Sequence, residues 1–252
     1  MRAAIAVFLF LICAVGAYAQ SPQTGPASGA KPSMTADQIV EKSIQATGGR
    51  EAQMKLTSLV TSGTMDIAAF GVQGPTETYQ KAPDKYLQTT DIPGFGTISE
   101  GYDGKAGWHS DPQAGLSDMA GGRLAQMKVE AQFAGDLRFK ELYPKAEVTG
   151  QEKVEGHDCW VVKLTSSEGV HSTRYYDAGT FLLTKVVQTA ETPQGDAEIQ
   201  VVLSDYKDIG NGTKMPFKTV LNVPQVGELV ITTKDIKYNV PIDDAKFAKP
   251  KN

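Results

Sequence analysis

Residues 157 to 186 read HDCWVVKLTSSEGVHSTRYYDAGTFLLTKV. Three stretches around this segment, 157-165, 170-177 and 181-191, are rich in Val, Thr and Tyr, and Asp177-Ala178-Gly179 supplies turn chemistry between the last two. Links this short join antiparallel neighbours, because parallel pairing needs crossovers of about a dozen residues or more. Outward from it, the same reading gives strands at 56-68, 75-82, 85-91, 96-102, 105-110 and 146-154 on one side, and at 197-208, 214-223 and 227-238 on the other. Asp103-Gly104 between Tyr102 and Lys105, and Gly210-Asn211-Gly212, mark two further tight turns. The expected fold class is mainly β, an antiparallel up-and-down sheet without internal repeats.

The strands are more apolar than a sheet with one wet face requires. Trp160-Val161-Val162-Lys163-Leu164, Phe181-Leu182-Leu183 and Ile199-Gln200-Val201-Val202-Leu203 place apolar groups on both faces, so both faces need cover. Two helical segments can supply it. Thr35 with Gln38 makes a capping box, Met34 can staple onto Ile39, and Ile39, Val40, Ile44 and Thr47 recur at helical spacing until Gly48-Gly49. Between Pro112 and Pro144 the alternation is lost, and Met119, Leu124, Met127, Ala131 and Ala134 share a helical face. Phe133, Leu137, Phe139 and Leu142 add apolar content, and Gly121-Gly122 and Gly135 divide the segment into two short helices.

The first nineteen residues read as a secretory signal: Arg2, an apolar run over 3-16 too short to span a bilayer, and the small-x-small site Ala17-Tyr18-Ala19. Cys13 follows Ile12, where lipid attachment calls for a small residue. The expectation is a periplasmic protein cleaved after Ala19 and not an integral membrane protein, with residues 20-33 as a disordered Pro/Gly/Ser leader and 34-252 as one domain. The full chain carries 25 Lys plus Arg against 29 Asp plus Glu; losing only Arg2 with the signal leaves an acidic chain of net charge −5. That balance argues against nucleic acid. Cys159 is then the sole cysteine, so the fold relies on its core rather than on a disulfide.

The inventory of catalytic groups is thin. His109, His157 and His171 are scattered at spacings that place no two nitrogens on one metal, and each reads as a strand residue. Cys159, next to Trp160-Val161-Val162, reads as a packed strand cysteine, because reactive thiols sit at turns or helix N-termini that stabilise the thiolate. The chain has no P-loop and no G-x-S-x-G, Gly94-Phe95-Gly96 lies in a β context, and Asp243-Asp244 reads as a solvated pair. No catalytic residue, metal site or cofactor is expected.

GYDGKAGW (101-108), VEGHDCWVVKL (154-164), TRYYDAGTFLLTKV (173-186), SDYKDIGNGTKMPFK (204-218) and PIDDAKFAKP (241-250) together resemble the LolA-like periplasmic lipoprotein carrier family. The resemblance implies an incomplete, curved antiparallel β-barrel of about 11-12 strands with an N-terminal helix and a short helical lid. It also implies an apolar concavity that takes lipid or lipoprotein acyl chains, with outer-membrane lipoprotein sorting as the family's role and envelope membrane proteins as further partners. Leu124, Met127, Phe133 and Leu137 on the lid, with Trp160, Leu183, Val201 and Leu203 on the strands, are the expected ligand contacts. Four arginines, Arg50, Arg123, Arg138 and Arg174, are available for the carriers' functional arginine. A second reading keeps the fold without carriage, as a sensory or scaffolding protein whose cavity its own side chains fill; a secreted hydrolase is a third.

Overall fold

The structure is a computed structural model and describes residues 33-192, 195-224 and 226-251. The signal, its cleavage site and nearly all of the 20-33 leader lie outside the described residues. Helix α1 (Ala36–Ala46) begins with the expected capping box: Thr35 Oγ1 accepts from the Gln38 amide at 3.3 Å, while Gln38 Oε1 accepts from the Thr35 amide at 2.8 Å. It ends at Thr47, and α2 (Arg50–Met54) follows at once. The sequence pattern missed this second helix because five residues are too few to show a period. Gly48 has a positive φ, and a Cβ there would lie 2.2 Å from the Gly212 carbonyl oxygen, so only glycine lets the helix end approach that turn.

The strands are β1 (Ser58–Ile67), β2 (Val72–Lys81), β3 (Lys85–Ile92), β4 (Gly96–Tyr102), β5 (Gly107–Asp111), β6 (Gly115–Asp118), β7 (Lys145–Val154), β8 (His157–Thr165), β9 (His171–Asp177), β10 (Leu183–Thr192), β11 (Gly195–Asp208), β12 (Lys214–Val223) and β13 (Gly227–Tyr238). All twelve predicted strands are present. The additional one, β6, lies within the segment expected to be helical; its four residues, mostly exposed at the sheet edge, carry no apolar alternation to announce them. The turn at Asp103 is also wider than two residues, because its carboxylate accepts from the amides of Lys105 and Ala106 at 2.8 Å and delays β5 to Gly107.

These strands form one antiparallel sheet in the order β6-β5-β4-β3-β2-β1-β13-β12-β11-β10-β9-β8-β7, curved and not closed into a barrel. Consecutive strands are neighbours within each half, and β1 pairs with β13 to join the halves. The two sheet edges, β6 and β7, are connected through α3 (Gly121–Glu130), a 3-10 turn (Gly135–Arg138) and α4 (Phe139–Leu142).

Four buried clusters hold this arrangement. Ala36, Ile39, Val40 and Ile44 of α1 pack with Phe139, Tyr143, Val162, Leu164 and Tyr176. Leu56, Leu59 and Ile236 surround Phe133, and Tyr102, Met119, Met127 and Ala131 join α3 to the sheet. On the opposite face, Leu87 and Trp108 are covered by Ile242 and Phe247 of the C-terminal tail, and Trp108 Nε1 donates to the Phe247 carbonyl at 2.9 Å. A Cβ at Gly101 would lie 2.7 Å from the Trp108 ring, so that glycine makes room for the indole. Both faces are thus covered in part, as the apolar excess of the strands requires.

Candidate functional site

Directly opposed residues in an antiparallel sheet lie on one face, so the register traces which side chains line the concavity. Val72 opposes Ile67, which opposes Leu229, then Leu221, Val201, Val186, Arg174 and Val162 in strand order from β2 to β8. Val162 is buried against α1, so this row belongs to the helix-covered concave face. A parallel row runs through Met65, Ile231, Thr219 and Leu203. Under the helices the rows are sealed. Toward β1, β11, β12 and β13 the described helices leave them open: Met65, Val201, Leu203, Leu221, Leu229 and Ile231 are half-buried and part of none of the four clusters among the described residues. An apolar strip on a concave sheet, with helices at its side, is where β-folds of this kind take an apolar ligand.

Beside the strip, where α3 meets β9 and β10, lies a cavity of about 370 Å³ whose wall includes Gln126, Glu130, Tyr143, Arg174, Val186 and Gln188. Val186 belongs to the first row as well, so cavity and strip adjoin. Glu130 borders the cavity and is exposed to water on one side; partial burial raises its carboxyl, opposed by donation from Gln126 at 2.7 Å and Gln188 at 3.3 Å. Gln126 Oε1 is buried and accepts no hydrogen bond among the described residues.

At the other end of α3, Arg123 lies 3.4 Å from Glu100 Oε2 and 3.0 Å from His109 Nδ1. Burial and the neighbouring Glu130 push Glu100 up to about 7 in spite of Arg123. Burial, followed by Arg123, holds the His109 imidazole below its ordinary range, opposed by Asp111 at 3.2 Å. Helix α3 is therefore a strap with polar tethers to both halves of the sheet and apolar anchors between them.

The eight expected ligand contacts divide into two groups. Met127 is buried and Leu124 packs beside it against Tyr86 and Tyr102; Phe133 fills the cluster of Leu56, Leu59 and Ile236; Leu137, Trp160 and Leu183 border the cluster under α1. These six are engaged in packing, Met127 and Phe133 buried and the other four half-buried against a cluster. Val201 and Leu203 stand on the uncovered strip. Leu221, Leu229, Ile231 and Met65 share it and were not anticipated. The signal for them was present: β12 alternates Met215, Phe217, Thr219, Leu221 against Lys214, Pro216, Lys218, Val220, one apolar face and one more polar one.

Among the four arginines, Arg50 pairs with Glu41 at 2.6 Å and also donates to the Leu137 carbonyl at 3.1 Å. Arg138 bonds Gln132 and Glu141 at the surface. Arg174 is the most enclosed of the four, its side chain 14% exposed, 2.7 Å from Asp136 and bonded to the hydroxyls of Tyr143 and Tyr176, with its guanidinium 4.6 Å from the Tyr143 ring centre. Cys159 is fully buried, its thiol raised by burial, and Thr184 Oγ1 lies 3.5 Å away, which is the packed strand cysteine expected. His157 and His171 stand on strand termini and His109 within β5.

No family model matches the chain, and no curated protein matches it. Solved structures do match. A DUF1329 family protein from Desulfovibrio piger superposes with a TM-score of 0.58 at 15% identity, covering 85% of this chain and 97% of that one. A LolA superfamily protein from Nitrosomonas europaea gives 0.55 at 16% identity, with 86% and 99% covered. A domain provisionally assigned to outer membrane lipoprotein sorting, from Vibrio parahaemolyticus, gives 0.53 at 15% identity, with 83% and 97% covered. The fold is that of LolA-like proteins.

Proposed function

We propose that this chain is a periplasmic carrier or binding protein for lipid or lipoprotein acyl chains, held along the concave strip of Ile67, Leu229, Leu221 and Val201. The observation that carries the reading is that this strip is apolar and contiguous by register, buried at Ile67 and only half-buried from Leu229 through Leu221 to Val201, outside the packing of α1, α3 and the tail. Each methylene taken from water there contributes about 0.8 kcal/mol, so an acyl chain recovers in sum what its ordering costs. The segment from Met119 to Leu142 would act as the cover, and the adjoining polar cavity would receive the head of an amphiphile. The LolA superfamily fold and the lipoprotein-sorting name of one structural relative support the reading. Its export rests on the signal over residues 1-19, with cleavage after Ala19 checked by intact mass.

The test is titration with a fluorescent fatty acid. Leu221→Asp and Leu229→Asp should each weaken binding tenfold or more, about 1.4 kcal/mol, while the circular dichroism spectrum stays β-rich. Thr232→Asp, on the opposite face and exposed, should bind as the unmodified protein does. Unchanged binding in both strip variants would sink the proposal. Absence of binding in the unmodified protein, with no lipid extractable from it, would favour the scaffolding role instead.

A further inference from the structure

Four adjacent turns at one end of the sheet share a chemistry; the β8–β9 turn at the same end, which carries Glu168 paired with Lys128 at 2.9 Å, lies beyond them in strand order. The four, between β5 and β6, β3 and β4, β1 and β2, and β12 and β13, stand side by side along the strand order. Their described residues are Pro112-Gln113-Ala114, Pro93-Gly94-Phe95, Ala68-Ala69-Phe70-Gly71, and Pro224 with Val226, and none carries a charge. At the opposite end, Asp84, Asp103, Lys105 and Glu155 occupy three of the turns. The carboxylate next to the uncharged group, Asp111, is turned onto the amides of Gln113 and Ala114 at 2.7 Å and toward His109. Phe70, a ring without a polar handle, is 41% exposed at the tip of its turn.

The described residues of these tips carry no side-chain charge, which fits an apolar interface better than a charged partner. Charge complementarity points the same way. A chain of net charge −4 gains nothing from approaching an anionic surface by electrostatics, whereas an uncharged tip can enter a neutral one without desolvating an ion. The position is also continuous with the concave strip, since Ile67 and Val72 flank the Phe70 turn and open the apolar row.

We propose that this group of four turns, led by Phe70 and Phe95, docks on the surface of a zwitterionic lipid bilayer. The proposal goes beyond the carrier reading, since docking is scored on vesicles without any ligand in the concavity.

The test places a reporter at each end of the full chain: Phe70→Trp at the proposed contact, and Tyr238→Trp near the opposite turn, where the Tyr238 hydroxyl reaches the Gly210 carbonyl at 3.5 Å. Emission from Trp108 and Trp160 is subtracted using the unmodified protein. Phosphatidylcholine vesicles carrying brominated acyl chains should quench the residue-70 reporter several-fold more than the residue-238 reporter. Raising salt to about 0.5 M, which collapses the Debye length well below 10 Å, should leave that quenching in place. Adding Phe95→Glu to the Phe70→Trp protein should reduce it several-fold. Equal quenching of the two reporters, as adsorption through the apolar signal would give, overturns the proposal, as does no quenching or loss in salt. A failed fatty-acid titration with preserved residue-70 quenching would count against the carrier reading alone.

Discussion

Arg174 on β9 and Asp136 in the 3-10 turn between α3 and α4 meet at 2.7 Å, so the covering segment is fastened to the floor of the concavity by a charge pair that is mostly sequestered on the arginine side. Tyr143 and Tyr176 complete the cage around the guanidinium. Removing the cation leaves a carboxylate facing buried phenols. Arg174→Met should therefore cost about 3 kcal/mol or more in urea unfolding. Asp136→Asn should cost less, because Asp136 is one-third exposed and the tyrosines keep contact with the arginine. Equal effects would place the fastening elsewhere.

The raised Glu100 gives a pH dependence of definite sign. Its carboxyl sits near 7 in the folded chain and near 4.5 without the fold, so between those values the folded state binds a proton that the unfolded state does not. Stability from this group therefore rises as pH falls from about 8 toward 5, and is lost as pH climbs through 7. Thermal melts across that range should show the rise, and Glu100→Gln should flatten it. A melt that falls steadily with acid and does not respond to the variant would contradict the assignment.

Met127 and Leu203 should behave differently although both are apolar and face the concavity. Met127 is 2% exposed within the cluster of Tyr102, Met119 and Ala131, and its change to Ala should cost about 2-5 kcal/mol. Leu203 is half-buried outside any cluster, so Leu203→Ala should cost less than about 1 kcal/mol while weakening fatty-acid binding. Chemical denaturation of both variants separates packing from cradle.

Phe247 is fully buried at the end of the chain and covers Trp108. Phe247→Ala should cost about 3-5 kcal/mol and shift Trp108 emission to the red. Lys81 and Lys85 converge on Asp244 at 2.7 and 2.5 Å and hold its carboxyl down at about 2. Those contacts are exposed, and their removal should matter far less than the ring's.

Cys159 should resist a bulky thiol reagent in the native protein, and Cys159→Ala should cost about 1-2 kcal/mol without affecting ligand binding. Peptide mapping that finds Cys159 rapidly modified would refute it.

What was legible in the sequence was what is local. The capping box at Thr35 and Gln38 and the alternation of the long strands depend on neighbours within a few residues, and each is present. Edge strand β6 was illegible because four mostly exposed residues need no apolar pattern. The pairing of β1 with β13 was illegible because hairpin chemistry says nothing of partners far along the chain. The ligand face divided along the same line. Leu124, Met127 and Ala131 were correctly placed on one helical face, but whether that face meets protein or ligand depends on Tyr86 and Tyr102 across the concavity, which no spacing reveals.

The seam between β1 and β13 also governs how the chain can fold. Each half of the sheet is a chain of hairpins that can zip from local contacts within microseconds. Leu59 and Tyr238, by contrast, oppose each other across about 180 residues of intervening chain, and loop closure must precede any gain from their pairing. Joining the halves is then the slow event, and it waits on synthesis of the last strand. Until β13 is in place, β1 and β12 each keep an open edge, which is the state of the chain most exposed to wrong pairing and most accessible to a chaperone.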